Sequence, residues 1–353
     1  FYGSSSRNDG ETTTTTLQYG TGFRNGSFFM SASHFDQNEI NARDRSVSRS
    51  ADGRSRGGAD LRSSATPSAR VTLPGGDTVI RDAETEQFRP VTDADLFEFP
   101  QFTSSLVPSQ RTSIYANLSY DLTEQITITL EGSYTDTEAE AELAPTPIFT
   151  AFEQVPLTIS SQNVYNPFGV DIEDLRRRVV ELPSREQENK SDVERASLIV
   201  EGLHWGWSWE LAYGWSRSEA SEKSNALINA DNLARGLGPA SECRPADCVP
   251  INLFGLPGSI DEAQLAYLQV AGKVNGESKL QSWSFTGTRG LWELPFGQVD
   301  FAFGLEYRDE DTFKKPDRLL ADLGTIGGTN FEKTAGDRDV FEVYAESVIP
   351  LWH

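Results

Sequence analysis

The feature that most restricts the fold of this chain is an alternation of apolar and polar residues with a period of two. Over 112–122, Ile114, Leu118 and Tyr120 alternate with polar residues, and after a short connection the pattern resumes at Ile126. Successive side chains of a β-strand point to opposite faces, so each segment has one apolar and one polar face. The two segments together predict an antiparallel hairpin.

The same alternation recurs along the chain and predicts about nine strands. The polar faces carry charged residues as well as neutral ones, among them Glu131, Glu201, Glu306 and Arg308. The predicted strands cover about 12–20, 27–36, 112–122, 126–135, 196–202, 209–216, 279–290, 299–308 and 339–350.

The connections between these strands are alternately short and long. The long segments cover roughly 37–109, 137–190, 222–278 and 312–336. Barrels of the bacterial outer membrane join their strands in this way, with short periplasmic turns and long extracellular loops. The sequence therefore predicts an all-β fold, an antiparallel transmembrane β-barrel whose four long segments are extracellular loops.

The positions of the tryptophans agree with a membrane barrel. Trp205, Trp207, Trp209, Trp292 and Trp352 lie at or beside the predicted short-turn end, where an aromatic belt meets the lipid headgroups. Alternating strands also occur in soluble antiparallel sheets, in which the apolar face is a protein core. The order of loop lengths and the continuous apolar faces favour the membrane barrel over that alternative.

Composition excludes several other classes. A formal net charge of −22 argues against a nucleic-acid partner, because acidic residues repel phosphates. No stretch approaches the roughly 18 consecutive apolar residues that a membrane helix needs. Cys243 and Cys248 are the only cysteines beside three histidines, which favours a small loop-closing disulfide over a zinc site and predicts an oxidising compartment.

Local signals lie within the long segments. Ser259 to Glu262 fits an N-terminal capping box and predicts a short helix over about 260–271. A second helix is expected over Ile172 to Leu182. The segment 41–70 is rich in Arg, Ser, Asp and Gly, and predicts a mobile or disordered loop.

Several segments, in their order along nearly the whole chain, resemble the TonB-dependent receptors of the outer membrane. The matching segments are the opening with Gly20, Gly26 and Asp44-Arg45, Tyr165-Asn166-Pro167-Phe168-Gly169 before Arg176-Arg177-Arg178, Cys243 to Cys248 running into Val249-Pro250-Ile251-Asn252-Leu253-Phe254-Gly255, the helix start Gly258-Ser259-Ile260 with Tyr267, and Phe341-Glu342-Val343-Tyr344-Ala345-Glu346 before Ile349-Pro350-Leu351.

The resemblance implies a barrel of about 22 strands whose lumen is blocked by an N-terminal plug. It implies active import of a scarce nutrient, such as an iron-siderophore complex, cobalamin or an oligosaccharide. Residues 1–353 would then form a partial barrel domain, roughly the first half of the wall, with the plug absent and the chain cut at both ends. The expected partners are outer-membrane lipid and lipopolysaccharide, a small-molecule or metal-chelate ligand, and TonB through the missing N-terminal region.

The residues give no signature of an enzyme, a metal site or a cofactor. The carboxylates Glu138, Glu140 and Glu142, and also Asp309 to Asp311, fit a solvated loop stem better than acid-base catalysis or a calcium site. His204 fits an interfacial role. Arg176 to Arg178 are expected to form a charged helix face, with contact to an anionic ligand or lipopolysaccharide as the alternative.

No ligand-binding residue can be named from the sequence. Two rival functions remain open: a plug-free diffusion porin or translocator barrel, and a soluble secreted β-protein such as an adhesin or a carbohydrate-active protein. The rival porin would need a constricted pore, and loops longer than about 50 residues are unusual there. The soluble protein would need no detergent.

Overall fold

The computed structural model describes residues 1–244, 247–328 and 330–352, and its main element is one large antiparallel sheet. Each long strand pairs with the next one along the chain, so the sheet is a simple up-and-down meander. The all-β fold and the nine predicted strands are confirmed. The long strands are β1 (Thr12–Phe23), β2 (Gly26–Gln37), β3 (Ser109–Thr123), β4 (Ile126–Leu143), β5 (Arg185–His204), β6 (Trp207–Asn229), β7 (Gln269–Leu294), β8 (Gly297–Pro316) and β9 (Thr334–Val348).

Shorter elements lie outside the nine long strands. Tyr2–Gly3 pairs with β1 and Thr325–Ile326 pairs with β6. No helix of the described residues has the length and apolar character needed to cross a membrane. The other short strands are Ile40–Asn41, Arg70–Thr72, Thr78–Arg81, Phe88–Pro90, Ser104–Leu106, Pro147–Phe149 and Asp174–Arg178, and the α-helices are α1 (Ala230–Leu237), α2 (Glu262–Leu268) and α3 (Arg318–Ala321). Four 3-10 helices cover Ala42–Asp44, Arg54–Arg56, Asp93–Asp95 and Phe99–Phe102.

The connections alternate between tight turns and long loops, as the sequence predicts. At the turn between β5 and β6, Trp205 and Gly206 both have positive φ (51° and 80°), which a two-residue hairpin turn of the right twist requires. The other turns lie at 24–25, 124–125 and 295–296, and the long connections are loop 1 (38–108), loop 2 (144–184), loop 3 (230–268) and loop 4 (317–333). The strands run further than predicted, so loops 2 to 4 are shorter than expected.

The two faces of the sheet differ in polarity row by row. Residues directly opposite one another across the strands share a face. One such row, on the apolar face, contains Phe28, Leu118, Leu130, Leu198, Tyr213, Trp283, Tyr307 and Phe341. The adjacent row, on the polar face, contains Ser27, Ser119, Thr129, Ile199, Ala212, Ser284, Glu306 and Glu342.

The apolar face of the sheet is not covered by other parts of the described chain. Leu211 is 40% exposed, Leu305 41% and Phe341 68%, and Leu118, Ile128 and Phe303 are only half-buried. A soluble sheet would bury such residues beneath a second layer. The main sheet therefore presents a broad apolar surface to its surroundings.

The hydrophobic core lies in the loops instead of against the sheet. Seventeen buried residues from all four loops and the end of β6 form one cluster, which holds loops 1 to 4 together as a single unit, the loop cap. Within this unit, loops 1 and 2 share a five-stranded antiparallel sheet, ordered Pro147–Phe149, Asp174–Arg178, Arg70–Thr72, Thr78–Arg81 and Phe88–Pro90. The loops thus bury their apolar residues against one another.

Three local predictions need correction. The helix expected over Ile172 to Leu182 is wrong, because Asp174–Arg178 is a strand with partners on both sides. The helix expected over 260–271 exists but is shorter, and its cap is Asp261, whose side chain accepts a hydrogen bond from the backbone N–H of Gln264 (2.9 Å), instead of Ser259.

The expectation that 41–70 is mobile or disordered is also wrong. Asp52 accepts hydrogen bonds from the backbone and guanidinium of Arg54, and Asp60 does the same with Arg62. These Asp-x-Arg forks fix the turns, and Ala65 nearby is fully buried in the loop cap. These paired side chains hold the segment in place, so its low content of large apolar residues does not prevent folding.

Candidate functional site

The candidate site combines the polar face of the main sheet with the loop cap at the end of the strands opposite the tight turns. A groove of about 590 Å³ lies on the sheet, lined in part by Tyr115, Glu131, Arg195, Ser197 and Ser282. Tyr115 lies in β3 and Glu131 in β4. Successive side chains alternate between the two faces in both strands, so these two side chains reach the same face.

Glu131 is the centre of a hydrogen-bond network in this groove. Its carboxylate accepts from the Tyr115 hydroxyl (2.9 Å) and from the Asn117 amide (3.0 Å). Further along the same face, Arg308 lies within ion-pair distance of Glu306 (3.0 Å) and Glu342 (3.6 Å). The polar face of the sheet therefore carries hydrogen-bond donors and acceptors, which suits contact with a hydrated solute more than with lipid.

The three consecutive arginines of loop 2 do not form the charged helix face that the sequence predicts. They lie in the strand Asp174–Arg178, and Arg177 (0% exposed) and Arg178 (4% exposed) are buried in the loop cap. Because they are inaccessible, neither of these two can contact an external anionic ligand or lipopolysaccharide without opening the loop cap. Of the three, only Arg176 is partly exposed, and it is paired with Asp174.

Arg178 links loops 1 and 2. Its guanidinium donates to the carbonyl of Pro145 (2.7 Å) and to the hydroxyl of Ser63 (3.0 Å), and lies 4.9 Å from the ring centre of Phe97. Burial lowers the pKa of Arg178 to about 10, so the side chain still carries its charge at neutral pH. The charge is compensated by backbone and hydroxyl oxygens, without a carboxylate partner within the part of the chain that the structure describes.

Arg70 is a candidate that the sequence analysis missed. It lies directly opposite Arg176 across the small sheet, and Arg176 is neutralised by a two-pronged pair with Asp174 (3.0 and 2.9 Å). Arg70 has no carboxylate within 4 Å among the described residues, and its buried Nε has no hydrogen-bond partner there. Partial burial lowers its pKa. An unpaired guanidinium in so acidic a chain is suited to an anion.

The remaining sequence candidates fall into separate places. Asp309, Glu310 and Asp311 lie in β8, where successive side chains alternate between faces, so they do not converge on one point. Glu138 forms an ion pair with Lys190 (2.9 Å) at the loop end of β4. His204 lies at the tight turn after β5, where its ring contacts Trp205 (4.4 Å between ring centres). Within the described residues no cluster of acidic, His and Cys side chains is arranged to hold a metal.

Cys243 and Cys248 form a disulfide in loop 3, with their Cα atoms 5.1 Å apart. Both cysteines are buried against the loop cap.

Tryptophans predicted at the tight-turn end are found there: Trp205 occupies the turn itself and is 83% exposed, and Trp207 and Trp209 begin β6.

Comparison with known proteins gives few matches. No family model matches the chain, and no curated protein matches it. The crystal structure of the ferric-catecholate import receptor Fiu from E. coli K12 in its open form is similar with a TM-score of 0.39 and 9% identity, over 97% of this chain and 45% of that one. The closed form gives 0.38 and 10%, over 96% and 41%. The chain thus spans less than half the length of that receptor.

Proposed function

We propose that this chain forms part of the wall and the extracellular loops of an outer-membrane β-barrel that imports a scarce nutrient, in the manner of a TonB-dependent receptor. The apolar face of the sheet contacts lipid, the polar face lines the lumen, and the loop cap captures the ligand. Import involves no chemical step, so the protein is not an enzyme. TonB supplies the energy through a plug that precedes the barrel.

The observation that carries the proposal is the contrast between an uncovered apolar face and a core confined to the loops. Along β6 the outward residues are Trp207, Trp209, Leu211, Tyr213 and Trp215, which span nine residues or about 27 Å at the rise of an extended strand. A tilted strand needs about 9–11 residues to cross the hydrocarbon layer. The apolar stretch of β6 has the length that a tilted membrane-spanning strand requires.

The edge of the apolar band that is nearer the loop cap runs obliquely across the strands, as it would if the strands were tilted in a membrane. The first outward charge is Asp136 on β4, Arg217 on β6 and Asp309 on β8. Each row consists of the residues that lie directly opposite one another across the strands. On the outward face, the row of Asp309 is the next one towards the tight turns from the row of Arg217, and the row of Asp136 is the next one away from them. Strands of outer-membrane barrels tilt by about 35–45°, and a water boundary perpendicular to the barrel axis then crosses successive strands at different rows.

Ligand capture is assigned to the loop cap and the polar groove, with Arg70 as a contact for an anionic ligand. The test is uptake and binding by the protein in cells with and without TonB, using a ferric siderophore, cobalamin and a maltooligosaccharide as probes. The proposal predicts that uptake of one probe depends on TonB. Uptake that is unchanged without TonB would support the porin instead, and a protein that stays soluble without detergent would refute both.

The role of Arg70 is tested in the same assay. Replacing Arg70 with Gln is expected to weaken binding of an anionic probe by about tenfold, the effect of losing one charge-assisted hydrogen bond. The matched control is Arg54→Gln, because Arg54 lies in the same loop but is paired with Asp52 and Asp60. Equal binding by the two variants would remove Arg70 from the site.

A further inference from the structure

An apolar slot of about 510 Å³ opens on the lipid-facing side of the sheet, beside the tight turn between β5 and β6. Its walls are the aromatic side chains of Trp205, Trp207, Trp209, Phe285 and Phe303, and its floor is Gly287. These residues come from three adjacent strands and the turn. The slot lies apart from the polar groove and the loop cap, which are on the other face and at the other end of the strands.

Two glycines create the slot. The ring of Trp209 packs over Gly202 on β5, where a Cβ atom would lie 2.8 Å from the ring, so Trp209 leans away from β7. Its neighbour in the same row on β7 is Gly287, which has no side chain to fill the space. The ring of Phe303, from β8, partly covers Gly287 from the other side. A Cβ atom at position 287 would lie 2.7 Å from this ring. The result is a depression within an otherwise continuous apolar surface.

Aromatic contacts hold the walls in place. Trp207 packs edge-on against Phe303 (5.5 Å between ring centres, 80° between planes) and against Phe301 (6.2 Å, 84°). Phe285 contacts Phe303 at 5.7 Å. Such edge-to-face pairs restrict ring rotation, so the slot is preformed and does not have to be opened by its occupant.

A cation lies at the end of the slot that is nearer the tight turn. Arg289 lies two residues beyond Gly287 on β7, so its side chain is on the same, apolar face as Gly287. Arg289 is exposed, and its guanidinium lies 6.0 Å from the ring centre of Trp207. Over residues 1–244, 247–328 and 330–352 it forms no ion pair and no hydrogen bond. An unpaired guanidinium at the polar boundary of an apolar slot, in a chain of net charge −22, is complementary to an apolar chain that ends in an anionic group.

We propose that this slot binds one phospholipid molecule of the leaflet at the tight-turn end, with an acyl chain against Gly287 and the phosphate at Arg289. The inference rests on the proposed function, because only a membrane barrel has lipid on this face. Moving an acyl chain from the bilayer into the slot gains no hydrophobic free energy, since both are apolar. Selectivity must therefore come from contact with the fixed aromatic walls and from the guanidinium–phosphate interaction.

The test measures quenching of tryptophan fluorescence in the detergent-purified protein by phosphatidylglycerol with brominated acyl chains. Three tryptophans line the slot, so a bound brominated chain is expected to quench saturably. Diacylglycerol with the same brominated chains but no phosphate is expected to quench without saturation. Arg289→Gln should raise the half-saturating concentration of the phospholipid by about tenfold, and Arg289→Lys by less, because it keeps the charge but not the two-pronged geometry.

The matched control is Arg24→Gln, which makes the same charge change at the tight turn between β1 and β2, far along the sheet from the slot. It should leave the half-saturating concentration unchanged. Equal behaviour of the Arg289→Gln and Arg24→Gln variants, or saturable binding of the brominated diacylglycerol, would overturn the lipid site while leaving the barrel intact. A protein that is soluble without detergent would instead overturn the proposed function.

Discussion

At the scale of single residues, Arg177 links loops 2 and 3 through several hydrogen bonds. Its buried guanidinium donates to the carbonyls of Gly255 and Leu256, to the Ser259 hydroxyl and to the carboxylate of Glu181 (2.8 Å). Burial lowers the pKa of Arg177, and the adjacent carboxylate opposes that change. Arg177 therefore fixes the position of loop 3 relative to loop 2, a contact that the sequence alone does not show.

Replacing Arg177 with Met is expected to destabilise the loop cap by about 3–5 kcal/mol, because it leaves the carboxylate of Glu181 buried without its partner. The measurement is hydrogen exchange of the backbone over 250–260, which should become faster while β1 to β9 stay protected. The double variant Arg177→Met/Glu181→Leu should recover part of the loss. Arg176→Met is the control, and a loss as large as that of Arg177→Met would contradict the account.

Acid should loosen loop 1 through Asp95. Its carboxylate accepts from both terminal nitrogens of Arg89 (2.9 and 2.7 Å), which lowers its pKa to about 2. Because this folded-state value is below the unfolded value of about 3.9, the carboxylate stabilises the fold above about pH 4 and loses this contribution as the pH falls towards 2. Arg89 also lowers the pKa of Asp82.

The check is the rate of proteolysis within 82–95 between pH 5 and pH 2, using a protease that is active in acid. Wild type should become more sensitive towards pH 2. Arg89→Gln should already be sensitive at pH 5 and should change less on acidification. A wild-type profile that is flat over this range, or that parallels the variant, would show that the two carboxylates do not stabilise the loop.

At the scale of elements, the nine strands could be predicted because their alternation is a local property. The apolar residues on one face of each strand repeat every second position, and tight turns join the strands in pairs from β1–β2 to β7–β8. The helix expected over Ile172 to Leu182 failed for the opposite reason: the strand Asp174–Arg178 depends on partners more than 20 residues away in loops 1 and 2. Local propensity could not show that pairing.

The two faces of β6 should respond differently to a new charge. Leu211→Arg places a guanidinium in the apolar band and is expected to destabilise the barrel by about 2–4 kcal/mol. Ala212→Arg, one residue further along the strand, points to the polar face and is expected to cost far less. Urea unfolding in lipid bilayers measures both variants. Similar losses for the two positions would argue against lipid on one face only.

The disulfide should stabilise loop 3 without affecting the main sheet. Closing a loop of about five residues stabilises the folded state by about 2 kcal/mol on chain-entropy grounds. The double variant Cys243→Ser/Cys248→Ser should therefore lose protection from hydrogen exchange around 236–251, where Ile251 donates to the carbonyl of Gly236 (3.0 Å), without a change in the sheet. Loss of the whole fold on substitution would mean that the bond supports more than its own loop.

At the scale of the whole molecule, the chain separates its apolar residues into two populations. One population, mainly from the loops, forms a buried core, and the other, on the outward face of the strands, remains uncovered. The sequence shows the second population by its period, but not the first, because the core residues are spread over four loops without a repeating interval. Arg70 could not be identified from the sequence for a similar reason. It lies in loop 1 and becomes a candidate only because the fold places it opposite Arg176 of loop 2.

The central claim is that the outward residues of the sheet face hydrocarbon. Its most direct test is the accessibility of spin labels placed one at a time along 207–217 of β6, with the protein in lipid bilayers. Labels at 209, 211, 213 and 215 should be relaxed by oxygen, and labels at 210, 212, 214 and 216 by a water-soluble nickel chelate. Equal relaxation by the chelate on both faces, with no alternation along the strand, would contradict the account.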